Sequence, residues 1–126
     1  DLKPDNSLYD ADIFKTMIID LGGCIKINDG QTAEKFSKGA HSYQTTEAFR
    51  APEMADVTND IIDMRKALAY TCGRVIAEVT KKTDSNQKEI QALIAKLTNP
   101  KPDQRIFIED AQKILDGIGN NDYKKE

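Results

Sequence analysis

Apolar spacing in this chain specifies a mainly α-helical domain with a small β-hairpin region. Ile61, Met64, Leu68, Cys72, Val75, Ile76 and Val79 recur at three- and four-residue steps, the period of a helix face. Two later stripes repeat it, one through Ile90, Leu93, Ile94 and Leu97, the other through Ala111, Ile114, Leu115 and Ile118. Nearer the N-terminus, two short apolar runs flank an acidic-glycine turn, which is strand patterning.

The opening run Asp1-Leu2-Lys3-Pro4-Asp5-Asn6 is loop chemistry, because Pro and Asn favour turns for local reasons. Residues 16–19 form a first buried strand and residues 24–27 a second, which ends at the strong turn signal Asn28-Asp29-Gly30. Between them, Asp20-Leu21-Gly22-Gly23 sets a carboxylate at the end of a rigid element while the glycines let the backbone bend. Residues 31–50 are polar and read as a loop. Beyond Pro52 a long central core helix begins, interrupted by charge and polarity over 81–88. A second helix stops at Asn99-Pro100, since proline disfavours helix in the residue before it. The third carries Glu109 and Asp110 at its positive end and Gly117 or Gly119 at its exit, leaving residues 120–126 as a frayed tail.

Composition narrows the function classes. The 126 residues make one small domain, and 18 Lys+Arg against 21 Asp+Glu give a formal net charge of −3. That balance supplies no bulk pull toward nucleic acid or an anionic membrane, and neither is expected as a partner. No apolar run approaches the roughly 18 to 20 residues that span a bilayer, so a cytoplasmic or nuclear location is the expectation. Cys24 and Cys72 lack CxxC spacing and read as reduced thiols, without disulfide or zinc roles. A calcium loop around Asp10 and Asp12 fails, because Lys15 and Leu21 stand where such a loop needs Gly and Glu.

Four segments then fall in a telling order: Asp1-Leu2-Lys3-Pro4-Asp5-Asn6, Asp20-Leu21-Gly22, Ala51-Pro52-Glu53, and Asn99-Pro100-Lys101-Pro102-Asp103-Gln104-Arg105. Together they resemble the second half of a eukaryotic-type serine/threonine protein kinase domain. The resemblance implies a kinase-like C-terminal lobe over residues 1–119, with a catalytic loop at 1–6, a metal-binding turn at 20–22, an activation segment at 20–53 and a helical core at 58–119. It implies transfer of the ATP γ-phosphoryl group to Ser or Thr hydroxyls of a protein substrate. Asp1 would take or orient the acceptor proton, Lys3 would neutralise charge on the moving phosphate, and Asn6 and Asp20 would hold magnesium. Lys3, Asn6 and Asp20 would thereby form the nucleotide side of the site. Thr46 would bond to Asp1 and Lys3, Phe49 would line the peptide shelf, and Glu53 would form a buried pair with Arg105.

Ser42 and Thr45 lie where activating phosphorylation falls in such kinases, whereas Lys38 and His41 read as solvated. Leu21 replaces the usual Phe and keeps an apolar residue. Leu68 stands where the family has an Asp that braces the catalytic loop, and the stretch from Gly73 to Arg105 is too short for the usual substrate-docking helix and loops. A Gly-rich loop, a strand Lys and a helix Glu are all missing, so the N-terminal, nucleotide-clasping lobe is expected upstream of Asp1 and the chain is read as a fragment, inactive alone. The alternative is a pseudokinase or docking module that keeps the fold as an interaction surface without catalysis.

Overall fold

Helices dominate the architecture, with two small antiparallel pairings beside them, in a computed structural model that describes residues 1–22, 36–37, 46–55, 61–81 and 88–123. The opening run folds as a 3-10 turn at Pro4–Asn6, where proline supplies the first helical φ and the Asn6 N–H donates to the Lys3 carbonyl at 3.0 Å. A hairpin follows. Strand β1 (Ser7–Asp10) pairs with β2 (Lys15–Ile18) in the register Ser7↔Ile18, Leu8↔Met17, Tyr9↔Thr16 and Asp10↔Lys15. At its tip the Asp10 carboxylate accepts the Asp12 N–H at 3.0 Å, and Phe14 takes a left-handed φ of 51°.

The expected strand at 16–19 is thus present one residue earlier and pairs with Ser7–Asp10; the second expected strand, at 24–27, lies outside the described residues. The signal for β1 was short and sat inside a polar opening run. Its register is fixed instead by the ladder, which continues one step further through Ile19 N–H to Asn6 O at 2.8 Å. Both faces of the hairpin carry exposed apolar side chains, Leu8 at 57% and Met17 at 65% among them, so the expectation of a buried strand here is corrected.

Within the stretch read as loop, a 3-10 turn forms at Glu47–Phe49, and strand β3 (Phe36–Ser37) pairs antiparallel with β4 (Ile61–Ile62). Ile61 therefore belongs to a strand and not to the core helix. Short helix α1 (Pro52–Ala55) precedes β4, and helix α2 (Met64–Lys81) begins after Asp63, whose carboxylate accepts the N–H groups of Arg65 at 3.0 Å and Lys66 at 3.3 Å.

Helix α2 is central, as expected, but the side chains that bury it are different. Ala67, Ala69 and Gly73 are buried, whereas Leu68 and Val79 are exposed. Small residues let the next helix, α3 (Lys88–Leu97), come close: a Cβ added at Gly73 would lie 2.7 Å from Leu97 Cβ and Thr98 Cγ2. Ala69, Leu93, Leu97 and Ala111 form the main core, with Ile76, Ile106, Ile108, Ile114 and Leu115 packed around them. Ala51, Ile62 and Ala67 form a second cluster with Met54, Met64 and Tyr70.

The stripe expected on α3 is the one that packs, and its end falls before Pro100. Helix α4 (Ile108–Tyr123) carries Glu109 and Asp110 in its first turn and buries Ala111. It passes straight through Gly117 and Gly119, so the helix reaches into residues read as tail; neither glycine has an atom within 4 Å of an added Cβ, and packing does not stop the helix there. Among the described residues, no helix is long and apolar enough to cross a membrane.

Candidate functional site

The Pro4–Asn6 turn folds the first six residues back on themselves. Asn6 is buried, and its amide donates to the Asp1 carbonyl at 2.8 Å and to Asp1 Oδ2 at 3.4 Å. Lys3 Nζ lies 3.4 Å from the same Oδ2. Those contacts are local, and one partner comes from far along the chain. Thr46 donates its backbone N–H to Asp1 Oδ1 at 2.9 Å and its hydroxyl to the same oxygen at 2.8 Å. Lys3 Nζ completes the arrangement by donating to Thr46 Oγ1 at 2.8 Å.

Asp1, Lys3, Asn6 and Thr46 are therefore brought together. A carboxylate and an ammonium bracket one hydroxyl oxygen, an arrangement able to accept a proton from a hydroxyl on one side and to offset negative charge on the other. The side chains of Asp1 and Lys3 are about a quarter exposed, open enough to meet an incoming group.

Asp20 sits differently. Its neighbour Ile19 makes the last hairpin bond to Asn6, which sets Asp20 one residue beyond that bond, at a left-handed φ of 60°. That conformation is uncommon for a residue with a Cβ, and Asp tolerates it better than most. Its carboxylate is exposed and makes no hydrogen bond or ion pair among the described residues. No cluster of three or more His, Cys, Asp or Glu side chains fit to hold a metal occurs among the described residues. The Asn6 amide and the Asp20 carboxylate, the two metal ligands that the resemblance implies, are hard oxygen donors of the type magnesium takes.

A second cluster is built on a buried ion pair. Arg105, with none of its side chain exposed, donates from Nη1 to Glu53 Oε1 at 2.7 Å and from Nη2 to Oε2 at 3.1 Å. Its remaining donors reach the Lys66 carbonyl at 2.7 Å and the Asn99 carbonyl at 2.9 Å. Tyr70 stacks 5.0 Å from the guanidinium carbon. Lys66 closes the circuit by donating to the Arg105 carbonyl while its Nζ sits 3.8 Å from the Phe107 ring centroid. A shallow cleft of about 400 Å³, lined by Pro52, Glu53 and residues 100–104, lies beside this pair and contains none of the Asp1 cluster.

Sequence reading missed three contributors on α2. Lys66 holds the Arg105 loop, Thr71 Oγ1 donates to the Phe49 carbonyl at 2.8 Å, and Arg74 Nε donates to the Ala48 carbonyl at 3.3 Å. Only Thr71 left a trace in the sequence, as a hydroxyl within an otherwise apolar helix segment. Leu68 is 46% exposed. Cys72 is a free thiol whose pKa burial pushes up. Ser42, Thr45, His41, Lys38 and Cys24 lie outside the described residues.

Comparison of this chain with protein-family models, with curated proteins and with solved structures finds no match in any of the three.

Proposed function

We propose that this chain is the C-terminal lobe of a serine/threonine protein kinase, which transfers the γ-phosphoryl group of ATP to Ser or Thr hydroxyls of a protein substrate. One observation carries the reading: Asp1 Oδ1 and Lys3 Nζ each stand 2.8 Å from the Thr46 hydroxyl oxygen, although Thr46 is some 45 positions away. Bound ATP with magnesium supplies the phosphoryl group and the charge that activates it. Asp1 orients the acceptor hydroxyl and takes its proton. Lys3 offsets charge on the transferring oxygens, and Thr46 fixes the Asp1 and Lys3 side chains relative to each other. Asn6 and Asp20 offer the metal its protein oxygens. The Glu53–Arg105 pair anchors the far end of the segment that carries Thr46. The nucleotide-clasping lobe belongs upstream of Asp1 in this reading, and the exposed apolar hairpin is a surface for it to cover.

A docking module without catalysis is the second reading, favoured by Leu68, which stands exposed in place of a bracing carboxylate. The two separate on γ-phosphate incorporation into a Ser/Thr peptide, by the chain with its upstream region restored and by Asp1→Asn and Asp20→Ala versions of it. Loss of a general base lowers the rate about 10²–10⁴-fold. Equal incorporation by all three proteins rejects the roles given to Asp1 and Asp20, and none by the parent favours docking.

A further inference from the structure

We infer that Thr71 and Arg74 on α2 are positioning residues for the acceptor hydroxyl, acting through the turn that carries Thr46; the inference rests on the kinase reading. Phe49 N–H donates to the Thr46 carbonyl at 3.0 Å and Arg50 N–H to the Glu47 carbonyl at 3.2 Å. The turn thereby satisfies its first two carbonyls internally and leaves those of Ala48 and Phe49 without a partner inside it. Both are taken by α2. Arg74 Nε donates to Ala48 O at 3.3 Å, and Thr71 Oγ1 to Phe49 O at 2.8 Å. Thr71 and Arg74 are three residues apart, so they project from one helix face and hold two successive carbonyls.

At the other end of the turn, Thr46 uses both its N–H and its hydroxyl on Asp1 Oδ1. A continuous set of hydrogen bonds therefore joins the rigid central helix to the carboxylate. Sub-ångström looseness in such a support is enough to cost rate, because transfer depends on the alignment of the acceptor oxygen. Neither Thr71 nor Arg74 touches Asp1 or Lys3, so their effect is on the placement of the acceptor and not on the chemistry of the base.

Two measurements test this. On the chain itself, amide hydrogen exchange over residues 46–50 is compared for wild type, Thr71→Val, Thr71→Ser and Arg74→Gln. The expected result is exchange about tenfold faster in Thr71→Val and Arg74→Gln, recovery in Thr71→Ser, and unchanged rates in α3 and α4. With the upstream lobe restored, the same substitutions should raise KM for the acceptor peptide about tenfold and leave KM for ATP unchanged. Unchanged exchange over 46–50 in Thr71→Val and Arg74→Gln overturns the inference, as does an equal rise in both KM values. If the wild type transfers no phosphate, the kinase reading fails, and with it the role at an acceptor; faster exchange confined to 46–50 then supports the support of Thr46 alone.

Discussion

Glu53 and Arg105, 52 positions apart in the chain, meet in a two-pronged ion pair that is almost wholly buried, with side-chain exposures of 9% and 0%. Taking one partner away leaves a charge with neither water nor a counterion, whereas removing both leaves only a hole. Arg105→Ala or Glu53→Ala should therefore cost about 3–5 kcal/mol each, and the double substitution less than their sum. Urea denaturation of the four proteins measures this; single costs below about 1 kcal/mol would contradict the burial described.

Thr46 offers a sharper functional test because its hydroxyl has two partners at 2.8 Å. Thr46→Val removes both contacts while keeping the shape, and Thr46→Ser keeps them. With the upstream lobe restored, phosphoryl transfer should fall about tenfold or more in the valine protein and recover in the serine protein. A steady-state assay against a fixed peptide reads the difference, and equal rates would remove Thr46 from the site.

Gly73→Ala addresses the close contact between α2 and the end of α3. Alanine gains about 1 kcal/mol of helix propensity over glycine, but its Cβ would sit 2.7 Å from Leu97 Cβ, an atom fixed to the backbone. Overpacking costs about 1–3 kcal/mol, so the net outcome is a lower melting temperature. A higher one, read by circular dichroism, would mean that α2 and α3 lie farther apart.

Cys72 links stability to alkaline pH. Burial raises its folded pKa, so the folded chain keeps the proton that the unfolded chain gives up. The stability this contributes is complete below the ordinary thiol value of about 8.5 and is lost as pH rises from there toward the raised value. Wild type should lose stability relative to Cys72→Ala as pH rises above about 8.5. Alkylation of Cys72, followed by mass spectrometry at pH 8, should be slower in the folded than in the denatured chain.

The stripes of α3 and α4 were legible because a 3.6-residue repeat of apolar side chains is a local property that burial then obeys. On α2 the same reasoning named Leu68 and Val79, and the helix buries Ala67, Ala69 and Gly73 instead. Periodicity weighs a residue by its hydrophobicity, while close helix contact selects for smallness. Strand β1 escaped notice for a related reason: four residues carry too little pattern, and only the ladder with Lys15–Ile18 defines them.

The chain's residues alone determined that the opening run would turn at Pro4 and Asn6, that Pro100 would end a helix, and that the stripes of α3 and α4 would pack. Tertiary structure decided that Thr46 meets Asp1, that Arg105 finds Glu53, and that Thr71 and Arg74 hold the turn between them. Contacts separated by some 45 to 52 positions depend on how the helices pack, and no local repeat encodes the closure of a loop that long.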